Sequence, residues 1–329
     1  MFRLILKFVA LAILAFIIFL FASLHPVPSE VTYGMSFSSL QAEHLGLDPK
    51  QTYLAVLDDL KVRRLRLPAY WPRTEPQKDS YDWRELDFQI GEAKKRGADV
   101  ILAVGQRLPR WPECHVPEWG RSLSWEEQKK ELRQYITDVV RRYKGNSAIT
   151  YWQVENEPYL SVFGECPALD KQFLKEEIEL VKSLDKRPVL VTDSGNLGLW
   201  IGPYRNGDAF GTSLYMYFWN PDLGQFKTKL PATVYRVKER LMELFFGKKP
   251  TFLIELSLEP WLTQATGEAP LETQLSRMDM DKFHEIIEYA RKTSFDTQYL
   301  WGAEWWYYMK EKQGHPEFWE AAKKLYSAN

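Results

Sequence analysis

Two short runs carry residue types that could do chemistry. In Trp152-Gln153-Val154-Glu155-Asn156-Glu157-Pro158, an apolar approach that begins at Ala148 ends in two acids and an amide before a proline. Thr251-Phe252-Leu253-Ile254-Glu255 has the same shape, an apolar run that stops at a carboxylate. Cleavage of a glycosidic bond needs two such groups: one carboxyl protonated, to donate to the departing oxygen, and one ionised, to attack the anomeric carbon. Both runs read as strands that end in polar loops, so the surrounding elements decide whether the two acids can meet.

From Val31 onward, strand-length apolar runs alternate with segments of helical period. The strand segments are 31–37, 62–67, 99–104, 149–154, 188–191, 209–215, 251–255 and 298–301. The helical segments are 49–60, 83–96, 124–144, 170–184, a short weak one through 197–204, 232–246, 278–292 and 316–326. Ser124 with Glu127 three residues on is a capping-box pattern, and Gly97 and Gly145 follow helix ends as stops. Strand–helix alternation calls for a parallel sheet, and eight such units in about 300 residues match an α/β fold of the (β/α)8 TIM-barrel type. An open doubly wound sheet would carry a glycine-rich turn after its first strand, and Phe37-Ser38-Ser39-Leu40 is no such turn.

A barrel of this kind places its site at the C-terminal ends of the strands. Polar or aromatic residues in that position are Arg66 after the second strand, Asn156 and Glu157 after the fourth, Tyr215 after the sixth and Glu255 after the seventh. Trp305 and Trp306 follow the eighth. On these residues the chain resembles the retaining glycoside hydrolases of the (β/α)8 clan, cellulase- and β-mannanase-like and similar to glycoside hydrolase family 5. The resemblance runs from Val31 to the C-terminus. It implies Glu157, in Asn156-Glu157-Pro158, as general acid/base and Glu255 as nucleophile. It also implies Arg66, in Leu65-Arg66-Leu67-Pro68, as the nucleophile's support, Tyr215 as its hydrogen-bond donor, and Asn156 as a contact to the sugar 2-hydroxyl. The run from Tyr299 to Trp306 resembles the segment that floors the sugar site, with Trp305 as the stacking indole, and the run from Trp71 to Asp87 resembles a second-loop pattern of the clan. Ile254, Ser257 and Ser213 depart from that pattern, which leaves the catalytic pair intact and the substrate open.

Competing assignments exist for several positions. Glu155 precedes Asn156, and strand alternation puts it on the barrel wall. Glu259 lies four residues past Glu255, a loop or subsite position. Trp305 and Trp306 cannot both stack on one sugar. Trp111, Trp119, Trp219 and Trp261 sit in loops on the same barrel face and serve either core or subsite. His115 either touches substrate or braces its loop.

The 329 residues are 26% charged with a net charge of −1, which gives no electrostatic footprint for nucleic acid. No GxSxG elbow, P-loop, GxGxxG or HExxH is present, so neither cofactor nor metal is expected. Cys114 and Cys166 fall in the loops after strands three and four, neighbours in the barrel, and a disulfide between them is expected in an exported chain. Arg3 and Lys7 precede an apolar run from Phe8 to Ala22. Counted over residues 4–24, that stretch can cross a hydrocarbon core of about 30 Å, with the basic end cytoplasmic and the barrel outside. A cleaved signal peptide, leaving a secreted enzyme, is the rival reading. Its apolar region would span about 7–15 residues and end in small residues, a pattern that Phe21-Ala22-Ser23 fits poorly. The expected organisation is a membrane anchor at 1–24, a linker at 25–30 and a glycosidase domain at 31–329. Its expected substrate is a β-linked oligo- or polysaccharide. A catalytically silent glycan-binding barrel and a transglycosylase using the same residues are the alternative functions.

Overall fold

β-Branched and aliphatic residues dominate eight short segments, and each segment is buried as a strand that packs on both faces. The structure, a computed structural model, describes residues 2–220, 222–262 and 264–327. The strands are β1 (Thr32–Ser36), β2 (Arg64–Pro68), β3 (Asp99–Val104), β4 (Ile149–Val154), β5 (Val189–Asp193), β6 (Ala209–Leu214), β7 (Thr251–Ser257) and β8 (Thr297–Trp301). All pair in parallel with their sequence neighbours. β1 also pairs with β8, from Thr32 against Thr297 to Ser36 against Trp301, which closes the barrel. The (β/α)8 expectation is met.

Ile101, Leu190, Ala209, Ile254 and Tyr299 point inward and plug the barrel with a small apolar layer. The outward residues of the same strands, among them Val100, Leu102 and Val104, pack on the helices in the main core. One irregularity matters for the site. Along β7, Thr212 pairs with Leu253 but Ser213 pairs with Glu255, and on the other side the register slips between Gln298 and Leu300. The skipped residue is Ile254, so a bulge turns both Ile254 and Glu255 toward the barrel axis, where strict alternation would send only one inward.

Most helices fall where the periodicity puts them. Trp125–Tyr143 begins on the expected capping box of Ser124 and Glu127. Several elements were not foreseen: short helices at Ser39–His44, Trp71–Thr74 and Leu271–Arg277, and a hairpin of Tyr217–Asn220 with Gly224–Lys227. A helix at Ala303–Lys312 also follows β8 directly. Cys114 and Cys166 are bonded, with Cα atoms 5.2 Å apart, as expected.

At the N-terminus, Phe2–Ala22 is helical, and Ile5–Ala22 is long and apolar enough to cross a membrane. The segment after it is tied to the helix Thr233–Phe246. Arg240 Nε donates to Ser23 Oγ at 3.1 Å, Arg236 Nε donates to the His25 carbonyl at 3.0 Å, and the His25 ring lies 2.6 Å from Glu243.

Candidate active site

The end of β4 is bent by two residues in left-handed conformation, Glu155 at φ 57° and Glu157 at φ 43°. This conformation disfavours side chains with a Cβ, so the surroundings must hold it. They do so through the flanking groups. Glu155 turns its carboxylate back into the barrel wall, where it accepts from the amides of Gln106 and Arg107 at 2.7 and 2.5 Å. Gly105 makes room for it, since a Cβ there would lie 2.2 Å from Glu155 Oε1. The Glu157 amide donates to Thr192 Oγ1 at 2.8 Å. Glu155 is thereby fixed as a brace, and Asn156 and Glu157 project into the mouth.

Arg66 joins the strand ends. Its Nε donates to Gln153 Oε1 at 2.8 Å, Nη1 to Glu255 Oε1 at 2.6 Å and Nη2 to Asn156 Oδ1 at 2.6 Å. The guanidinium is planar and its donors are fixed in direction, so one side chain sets three others. Tyr215 donates its hydroxyl to Glu255 Oε2 at 3.1 Å. Glu255 therefore has a donor on each oxygen. Both Arg66 and Glu255 are buried.

Glu157 has a different environment. It is buried, and its Oε1 has no partner among the described residues. Burial, then the charge of Glu255, push its carboxyl well above the usual carboxylate range. A hydrogen bond from Ser213 opposes the shift, and the Glu113 charge adds to it. The two acids thus sit in contrasting surroundings, one ringed by donors and one desolvated beside negative charge, and such contrast separates acid from nucleophile.

Five expected residues are brought together: Glu157, Glu255, Arg66, Asn156 and Tyr215. Trp305 is not among them. It lies in the helix after β8, fully buried, with Nε1 donating to Gln274 Oε1 at 2.8 Å and its ring 4.6 Å from that of Phe318. Trp306 is equally buried and donates to the Leu258 carbonyl. Neither indole has a face open to a sugar, which corrects the expectation for Trp305. The indole at the end of β8 is Trp301. Glu259 is engaged by Arg110 and by Trp301 Nε1. His115 braces its loop, with its ring nitrogen 3.0 Å from the Arg110 carbonyl, and burial lowers its pKa to about 4.

A third carboxyl reaches the site from a loop and not from a strand end. Glu113 Oε2 accepts from Asn156 Nδ2 at 3.2 Å. Burial and the Glu255 charge raise its pKa to about 8, against the pull of Arg107, the Asn156 amide and Arg66. Glu113 lies nine residues beyond the end of β3, and only its place beside the bonded Cys114 hinted that its loop would be pinned at the mouth.

The Glyco_hydro_42 family model, described as beta-galactosidase, matches residues 51–246, more than half of the chain. Among known proteins, the chain is 20% identical over 207 residues to beta-galactosidase LacA of Lactobacillus acidophilus, covering 55% of this chain and 31% of that one. It is 27% identical over 185 residues to mannan endo-1,4-beta-mannosidase 3 of Solanum lycopersicum, covering 47% and 46%. The chain thus spans less than half the length of these curated relatives. Among solved structures, GH5_18 from Bifidobacterium longum superposes with a TM-score of 0.57 at 13% identity, over 83% of this chain and 70% of that one. Endo-glycoceramidase II from Rhodococcus sp. superposes with a TM-score of 0.53 at 16% identity, over 83% and 73%. These superpositions establish the barrel architecture, and the family match, extending from the helix before β2 to the helix before β7, places this chain in the Glyco_hydro_42 (beta-galactosidase) family of glycoside hydrolases.

Proposed function

We propose that the chain is a retaining glycosidase that cleaves β-linked glycans by double displacement. The observation that carries this reading is the Arg66 guanidinium, which bonds the β7 carboxylate with one nitrogen and the amide beside the β4 acid with another. That arrangement orients the nucleophile directly and fixes the residue next to the acid, both from a single rigid fork.

In the first step, Glu255 attacks the anomeric carbon while Glu157 gives its proton to the glycosidic oxygen, which departs with the aglycone. A glycosyl ester on Glu255 results. In the second step, Glu157, now ionised, takes a proton from water as that water attacks the same carbon and frees Glu255. Burial of Glu157 beside negative charge suits it to hold the proton that the first step consumes. Arg66 and Tyr215 supply donors to the attacking carboxylate and orient it. Asn156 Nδ2 faces Glu113 in the free site, from which it can turn to the sugar 2-hydroxyl.

On the aglycone side, Tyr215, Trp261, Phe163 and Trp111 lie in edge or tilted contact, with ring centres 5.3 to 5.8 Å apart. They offer apolar faces beyond the scissile bond. The apolar helix at Ile5–Ala22 supports an anchored enzyme with its barrel outside the cytoplasm, and the Cys114–Cys166 bond suits that compartment. β-Galactosides and β-mannans are the first substrates to test, because relatives act under those names.

The test is a panel of 4-nitrophenyl β-glycosides, followed by proton NMR of the first sugar released from the accepted one. The proposal expects the β-anomer first, with later mutarotation. Release of the α-anomer first would show inversion and remove Glu255 as nucleophile. Binding without turnover of any glycoside would favour a glycan-binding barrel.

A further inference from the structure

The connections from helix to strand lie at the N-terminal ends of the strands, on the side of the barrel opposite the mouth. Counted with the last turn of the preceding helix, six of the seven carry an exposed lysine: Lys61, Lys94, Lys144, Lys186, Lys248 and Lys292. None of the six makes a salt bridge among the described residues. Three acids at this end, Asp58, Asp185 and Asp208, are already held by Arg96, Arg187 and Lys182. The lysines are therefore in surplus. The whole chain has a net charge of −1, so acids elsewhere balance this end, among them the carboxyls gathered at the mouth. A cation near a helix end can simply complement the helix dipole, but that effect falls off within the last turn. Lys61, Lys186 and Lys248 stand beyond helices that end at Asp58, Leu184 and Phe246.

The apolar N-terminal helix arrives at the same end. Thr32 opens β1 there, ten residues after Ala22, a span of at most about 35 Å. The bonds from Ser23 to Arg240 and from His25 to Arg236 and Glu243 pin the connecting segment along the helix Thr233–Phe246. One turn beyond Arg240, the consecutive residues Leu244, Phe245 and Phe246 are exposed, Phe245 by 67%, and Lys248 follows. Adjacent exposed apolar side chains mark an interaction surface. Aromatic rings beside lysines suit a headgroup layer, where the rings meet the acyl boundary and the ammonium groups meet phosphate.

We propose that this end of the barrel seats on the bilayer that holds Ile5–Ala22, with the lysines on anionic headgroups and Phe245 in the interface, so that the mouth faces away from the membrane. An anionic lipid surface is the occupant because the surplus charge has one sign, is spread around the connections instead of lining a pocket, and is continuous with the membrane helix. The tether holds the barrel at the surface, so contacts that are weak one by one suffice to orient it. The mouth then meets glycans from the surrounding medium, and lipid-borne sugars in the same bilayer lie behind it. The proposal rests on the anchored reading above.

The test is hydrogen–deuterium exchange of the full chain in nanodiscs of phosphatidylcholine, with and without phosphatidylglycerol. With phosphatidylglycerol, peptides covering 184–188 and 244–250 should exchange about 10-fold more slowly, and about 1 M salt should reverse the change. Peptides covering the mouth loops at 106–119 and 158–168 should exchange alike in both lipids. Phe245→Ser with Lys248→Glu, both at exposed positions, should abolish the slowing and leave turnover of an accepted 4-nitrophenyl glycoside unchanged. Equal exchange of 184–188 and 244–250 in the two lipids overturns the proposal and leaves the anchor standing. Slowing confined to the mouth loops also overturns it, and would turn the mouth toward the membrane. Slowing that appears in detergent and grows with protein concentration would show a second copy on this face, again against the proposal. If the double variant does not fold, the wild-type lipid comparison decides. Loss of residues 1–24 from the native protein, read by intact mass, overturns the anchored reading and this proposal together.

Discussion

Arg66 Nη1 lies 2.6 Å from Glu255 Oε1, across 189 residues of sequence and from a strand that is not β7's neighbour in the barrel. The contact spans the mouth, and both partners are buried. A buried carboxylate that loses such a partner is left uncompensated, and a partner that keeps charge but loses the fork cannot hold all three acceptors in their fixed directions. Arg66→Lys should therefore lower kcat on an aryl glycoside by about 10²–10³-fold, with a smaller change in KM. Steady-state kinetics on the accepted glycoside checks this, and a change confined to KM would assign Arg66 to ground-state binding.

In the proposed mechanism Glu157 protonates the leaving group, so its importance should depend on how much help that group needs. Glu157→Gln should cost about 10²–10⁴-fold in kcat/KM, which reports the first step alone, on a phenyl β-glycoside and far less on a 2,4-dinitrophenyl one, whose anion departs unaided. The pH–rate profile of the wild type should fall on its alkaline side above the ordinary carboxylate range, because burial and the Glu255 charge raise the Glu157 pKa. Equal losses on both leaving groups would contradict the role.

Glu113 links stability to pH. Its pKa in the folded chain is raised from 4.5 to about 8. Between those values the folded state keeps a proton that the unfolded state has lost, so stability is fully present below the lower value and declines as pH rises through the upper one. Glu113→Gln keeps the shape and the bond to Asn156 but removes the titration. The variant should show a shallower fall in Tm from pH 5 to pH 8 than the wild type, read by thermal melts across that range. Parallel curves would mean that Glu113 does not titrate there.

Trp305 should behave as a core residue. Trp305→Ala should lower stability by about 3–5 kcal/mol, as removal of a buried aromatic does, and leave KM unchanged. Denaturant melts beside kinetics separate the two effects. A raised KM with stability intact would restore the indole to the sugar site.

Much of this was legible in the sequence because strands and their exits are local. The apolar approach to Glu157, the capping box at Ser124 and the stops at Gly97 and Gly145 all predict elements that the structure contains. Adjacency in the barrel then predicts the Cys114–Cys166 bond. The rest depends on non-local geometry. The inward aim of Glu255 requires the bulge at Ile254, which is visible only as a register slip against β6 and β8. Glu113 and Arg110 sit in one loop whose path is set by the disulfide and by ion pairs to distant segments. Trp305 misled because Glu304-Trp305-Trp306 directly follows a strand, whereas the chain turns into a helix at Ala303 and carries both indoles into the core.

The central claim is that Glu255 forms the covalent bond to the sugar. It is tested most directly with a 2-deoxy-2-fluoro β-glycoside carrying an activated leaving group, of whichever sugar the enzyme accepts. Intact-mass analysis should show one fluorosugar per chain, and peptide mapping should place it on Glu255, with no label on Glu255→Gln. A label on Glu113 or Glu259, or undiminished labelling of the Glu255→Gln variant, would contradict the account.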